Sequence, residues 1–141
     1  MRLLLAAAVL SLAACSGGND KTDGATEAPA KPHAASLYES GIAPLFANAC
    51  ATCHLTGTEA GNLSLVPARA IENLVGVKST EVPGLVRVQP GEPDQSYLIM
   101  KLEGTHVQNG GTGAQMPFGA PPLPPEVIAR VRLWIEKGAT P

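Results

Sequence analysis

Cys50-Ala51-Thr52-Cys53-His54 is the stretch on which the reading of this chain turns. Two thiols stand about one helical turn apart, and a histidine follows at once. This is the C-x-x-C-H signature of covalent c-type haem attachment. The thiols can add to the two vinyl groups of one haem. The next side chain is then directed at the iron, for which neutral imidazole is a suitable ligand. Two other chemistries use closely spaced cysteines. A thioredoxin-like pair opens a helix after a strand, whereas this motif follows a helix-like segment, Pro44 to Ala49. A structural zinc site takes four ligands, but His33 and His106 are the only other histidines and there is no second cysteine pair. One covalent haem c on Cys50, Cys53 and His54 is the expectation.

Outward toward the N-terminus, the compartment is legible. Met1-Arg2 is a short positive start, and Leu3 to Leu12 is an apolar run with one serine. The run ends in small residues, the layout of a secretory signal. It falls short of the roughly 20 apolar residues that a spanning helix needs. Export implies an oxidising surrounding in which thiols do not stay free, so all three cysteines require a fate. Leu12-Ala13-Ala14-Cys15 resembles the lipobox of bacterial lipoproteins. The resemblance implies a signal peptide over residues 1–14 and lipid on Cys15, which would anchor the chain to a membrane. Ser16 in the next position implies the outer membrane rather than the inner one. Residues 15–35 carry Gly, Ala, Pro, Thr and charge without a large apolar side chain, and read as a flexible tether. The 20 residues 16–35 reach about 25 Å as a random coil. His33 belongs to this tether.

The folded domain is expected over residues 36–141 as an all-α arrangement of several short helices and long loops around one haem. Ser36 and Glu39 have capping-box spacing, but Gly41 and Pro44 argue against one continuous helix there. Pro44 fits the first turn of a helix reaching about Cys50. A second short helix is expected from Pro67 to Asn73. A third, capped by Asp94, should run through Tyr97 to Leu102 and stop at Gly104. The last is the clearest: Pro124-Pro125 opens it, Gly138 closes it, and Val127, Ile128, Val131, Trp134 and Ile135 form a stripe at three-and-four spacing. Leu85 to Val88 reads as one extended piece. Aromatics are few, so a large apolar cofactor would supply missing core.

These features together resemble the class I, mono-haem c-type cytochromes over most of residues 40–139. Carrying the resemblance are the C-x-x-C-H motif, the downstream Gln115-Met116-Pro117 with Pro121-Pro122-Leu123, the stretch Val88 to Leu98, and the closing Arg132-Leu133-Trp134-Ile135-Glu136-Lys137-Gly138-Ala139. The family implies a cytochrome-c-like fold with Met116 as the second axial iron ligand. Met100 and His106 are the rivals. Met100 sits in an apolar helix, where methionine commonly fills core, and His106 would give a bis-histidine haem. The family also implies that a backbone carbonyl, from Pro67 or Leu65, orients the His54 ring. Further candidates for haem contact are Arg87, Tyr97 and Trp134 toward the propionates. Leu65, Val86, Leu98, Leu102, Pro117, Pro122 and Leu123 are candidates along the walls. One departure is visible: the family places a small residue eight positions before the first haem cysteine, and here Ile42 stands there, with Gly41 one step earlier. Phe46 matches the usual aromatic and is expected against Trp134.

Lys and Arg number 10 against 12 Asp and Glu; without Arg2 the balance is 9 against 12, about −3. That argues against nucleic acid, which needs a basic face. The resemblance implies an electron carrier rather than an enzyme, with periplasmic or membrane redox proteins as partners and no small-molecule substrate. Alternatives are a haem subunit of a larger periplasmic oxidoreductase and a haem-based gas sensor. Bacterial cytochrome peroxidases use two haems, and this chain holds one motif.

Overall fold

The computed structural model describes residues 35–141. The expected signal segment, lipidated Cys15, His33 and the tether up to residue 34 lie outside the described residues. What is described is all-helical: four α-helices joined by loops, one π turn and three 3-10 turns, with isolated bridges in place of strands.

Ser36 and Glu39 form a reciprocal capping box. The Ser36 N–H donates to Glu39 Oε2 at 3.1 Å, and the Glu39 N–H donates to Ser36 Oγ at 3.0 Å. The chain then enters a π turn, Tyr38–Ile42, that runs into α1, Ala43–Ala49, without the break expected at Gly41 and Pro44. Pro44 has no N–H to offer and would interrupt an α ladder. The wider turn absorbs this by letting the Ala43 N–H reach the Tyr38 carbonyl. α2 is Pro67–Leu74, opened by its proline. From Val75 to Ser96 the backbone is tied by three isolated bridges, Val75 to Val88, Lys78 to Val86 and Val86 to Ser96. The extended piece at Leu85 to Val88 is part of this tie.

α3, Tyr97–Glu103, ends at Gly104 in the left-handed conformation, as a glycine C-cap permits. Asp94 does not cap it. Asp94 lies in the 3-10 turn Pro93–Gln95 and pairs with Arg132 at 2.6 Å. The position ahead of α3 is Ser96, whose hydroxyl donates to Glu92 O and accepts from the Gln89 N–H, each at 2.9 Å. Asp94 was out of reach because a separate turn intervenes. α4, Pro125–Glu136, is the longest helix. Val131, Trp134 and Ile135 of its stripe are fully buried, while Ile128 packs at the edge of the core.

The core sits where α4 crosses the π turn and α1. Tyr38, Phe46 and Trp134 meet there, with ring centroids 6.5, 5.8 and 6.2 Å apart and the Phe46–Trp134 pair edge-on at 86°. Such pairs add about 0.5–1.5 kcal/mol beyond burial. Ile42, Leu74, Ile99 and Val131 complete the same cluster. The chain therefore supplies more core than its aromatic content suggests, because each of its few large rings but Phe118 is buried. Gly41 is the position that approaches α4: a Cβ there would come within 2.8 Å of Arg130 Cδ. The small residue one step off the family spacing thus still faces the terminal helix.

Candidate functional site

The C-x-x-C-H segment continues the end of α1 as a tight turn. The Cys50 and Ala51 N–H groups both donate to Phe46 O, and the Cys53 and His54 N–H groups both donate to Cys50 O at 3.1 and 3.0 Å. Both thiols are free, Cys50 half-buried and Cys53 exposed. Burial pushes the Cys50 thiol up to about 11, so it stays protonated at neutral pH. Burial also lowers the His54 pKa, partly offset by the backbone at Ala60 and Leu63 and by the Glu59 charge. Neutral imidazole, the form that ligates iron, is favoured.

The half-buried His54 ring has one buried nitrogen, Nδ1, with no hydrogen-bond partner. The Pro67 carbonyl expected to orient the ring instead accepts the Tyr38 hydroxyl at 2.5 Å. Leu65 does hold His54, but through the backbone: its N–H donates to His54 O at 2.8 Å. Ser64 Oγ donates to Leu55 O at 2.8 Å beside it. Arg87, only 9% exposed, braces the far side of this loop. Its guanidinium donates to Gly61 O at 2.5 Å, Asn62 O at 3.2 Å and Asn73 O at 2.8 Å.

Met116 lies on the segment after α3, half-buried against the core. Its N–H donates to Lys101 O at 2.9 Å, and Gln115 Nε2 donates to Leu102 O at 2.7 Å. The Met116–Pro117 peptide is cis. α3 thus ties the methionine segment by its backbone. Met100 is a buried residue of α3, 9% exposed. His106 is 2% exposed, and its Nε2 is engaged with Gly113 O at 3.1 Å. Of the three ligand candidates, Met116 is the least buried, while His106 keeps a buried Nδ1 with no hydrogen-bond partner.

The remaining expected contacts fall in two groups. Arg87, Tyr97 and Trp134 have polar tips with partners inside the chain: the loop carbonyls, Glu81 Oε2 at 2.5 Å, and Thr140 O at 2.8 Å respectively. Leu65, Leu98, Leu102 and Leu123 belong to or pack on one core cluster together with Cys50 and Met116. Pro117 is half-buried. Leu102 and Pro122 line a groove of about 390 Å³ with Gln115 and Ile128. Nothing in the sequence marked Glu81 or Lys101, which both bond Thr112 in the segment ahead of Met116.

The residues fit a covalently held haem by their own chemistry: two free thiols on one turn, followed by an imidazole favoured in its neutral form. Among the described residues no three His, Cys, Asp or Glu side chains converge as a metal-ligand group, so the cysteines and histidine do not form a zinc tripod. No described helix is long and apolar enough to cross a membrane. Comparison with models of known families, with curated proteins and with solved structures found no match.

Proposed function

We propose that this chain is a mono-haem, class I c-type cytochrome, lipid-anchored through Cys15 on the periplasmic side, that carries electrons between periplasmic or membrane redox proteins. The observation that carries the reading is the Cys50–His54 turn. It presents two free thiols and, within one turn of chain, a histidine that burial keeps neutral and whose buried Nδ1 has no partner. A haem bound there would supply a one-electron iron couple. The cysteines would hold it covalently. The His54 imidazole and the Met116 sulfur would hold its iron, a pair that favours a more positive potential than two histidines. The chain's own part is to keep His54 neutral, to exclude water from the cluster behind Cys50, and to bring the methionine segment to the same core.

A redox-titrated absorption spectrum of protein matured with haem, read beside haem staining on a denaturing gel, tests the assignment. One covalent, low-spin haem with a methionine–iron band in the near-red is expected. Protein that leaves its haem behind on denaturation overturns covalent attachment. Persistence of the near-red band in Met116→Ala overturns Met116 as the ligand.

A further inference from the structure

Glu81 is where three separate parts of the chain meet. Its Oε2 accepts the Tyr97 hydroxyl at 2.5 Å, the Thr112 N–H at 3.1 Å and the Thr112 hydroxyl at 3.4 Å, with the Lys101 ammonium at 3.7 Å. Lys101 is 8% exposed and donates to Thr112 O at 2.9 Å as well. Two residues of α3 and one loop carboxylate therefore converge on Thr112. A buried lysine is tolerated only with such partners, because an unpaired charge there is costly.

The segment held this way is rich in glycine. It contains Gly110, Gly111 and Gly113, residues that lose the most backbone freedom on ordering. Gly111 is there for space: a Cβ would collide with the Tyr97 hydroxyl and come within 2.9 Å of His106 O. His106 closes the segment on itself through Gly113 O. Three residues beyond Gly113, the Met116 N–H bonds to the carbonyl of the same Lys101 whose ammonium holds Thr112.

We propose that Glu81, Lys101 and Tyr97 are positioning residues that lock residues 105–116 onto α3 and so aim the Met116 sulfur; this rests on the reading of Met116 as an axial ligand. The lock acts through backbone placement and touches neither the sulfur nor the cysteines. Its loss loosens the methionine side while leaving covalent attachment and His54 in place.

The test uses the matured holoprotein and two readouts: the near-red methionine–iron band, and hydrogen exchange at the Met116 and Thr112 amides. In Glu81→Ala the band falls to a minority of its wild-type intensity, and both amides exchange at least about tenfold faster through local opening. Covalent haem stays unchanged. Glu81→Gln, which keeps an acceptor oxygen, restores part of both signals. Arg132→Gln, which breaks the separate Asp94 and Glu103 pairs, leaves both signals at wild-type level. Where Glu81→Ala does not accumulate, Lys101→Met and Tyr97→Phe read the same signals. A full band and unchanged exchange in these variants overturn the lock, as does an equal loss in Arg132→Gln. A wild-type protein without the band overturns the ligand reading and the aiming role with it. Met116 exchange then still decides whether the lock exists.

Discussion

The two sides of the proposed site are built in opposite ways. On the histidine side, residues 50–65 are held mainly by local bonds: Phe46 O, Cys50 O and His54 O accept the N–H groups that fold the turn, Glu59 accepts from Thr56 and Gly57, and Ser64 donates to Leu55 O. On the methionine side, residues 105–116 are held by side chains from elsewhere: Glu81, braced by Tyr97, and Lys101 both reach Thr112, and the segment's own Gln115 reaches back to Leu102 O. The first arrangement follows from contiguous sequence. The second exists only once the loop ahead of Leu85 has folded against α3. A ligand written into one turn is robust to changes in distant residues, whereas a ligand delivered by a loop depends on whatever fastens that loop.

Replacing His54 with Ala has the largest expected effect and breaks the local side outright. The chain should fail to yield a stable low-spin haem, seen as loss of the six-coordinate spectrum. In chain produced without haem maturation, the exposed Cys53 should alkylate ahead of Cys50, whose thiol burial holds at about 11; equal rates on mass spectrometry would contradict the described burial.

Arg87→Met sharpens the comparison from a side chain that reaches the histidine loop from a distant part of the chain. It removes donors to three carbonyls in a buried setting, and a cost of about 2–4 kcal/mol in denaturant melts is expected. Arg87→Lys should recover only part, because an ammonium cannot span three carbonyls as the planar guanidinium does.

The methionine side should respond to acid. Burial of Glu81 opposes its ionisation, but the bonds from Tyr97 and Thr112 and the Lys101 charge outweigh this and lower its pKa below the ordinary 4.5. A depressed carboxylate contributes stability that is complete above the unfolded value and is lost as pH falls through the folded one. Methionine-side protection should therefore be flat at neutral pH and decline below about pH 4.5. Glu81→Gln should flatten that decline, which hydrogen exchange across a pH series checks.

Gly41→Ala has the smallest expected effect. The Cβ meets only the flexible, exposed Arg130 side chain, and alanine gains up to about 1 kcal/mol over glycine in a helix. A thermal melt within a few degrees of wild type is expected. A large loss would mean that the approach to α4 is tighter than Arg130 can relieve.

Much of this was legible in the residues alone. The capping box at Ser36 and Glu39, the proline-opened α2 and α4, the glycine stop at Gly104 and the stripe ending in Trp134 and Ile135 follow from local propensity and period. They needed no partner to be read. Asp94 misled because a capping residue type near a helix start says nothing about an intervening turn. The π turn was hidden because Pro44 signals a lost hydrogen bond, not the geometry that repairs it. Glu81, Lys101 and Gly111 carried no signal, since a carboxylate, a lysine and a glycine are ordinary until their neighbours are known.

The sequence by itself determined the cysteine–cysteine–histidine turn, because thiols at i and i+3 and the following imidazole are fixed relative to one another by one turn of backbone. Only the tertiary structure decided which donors support it and what holds the methionine segment. Those contacts join residues dozens of positions apart, and the chain brings them together through burial and the pairing of charges that burial demands.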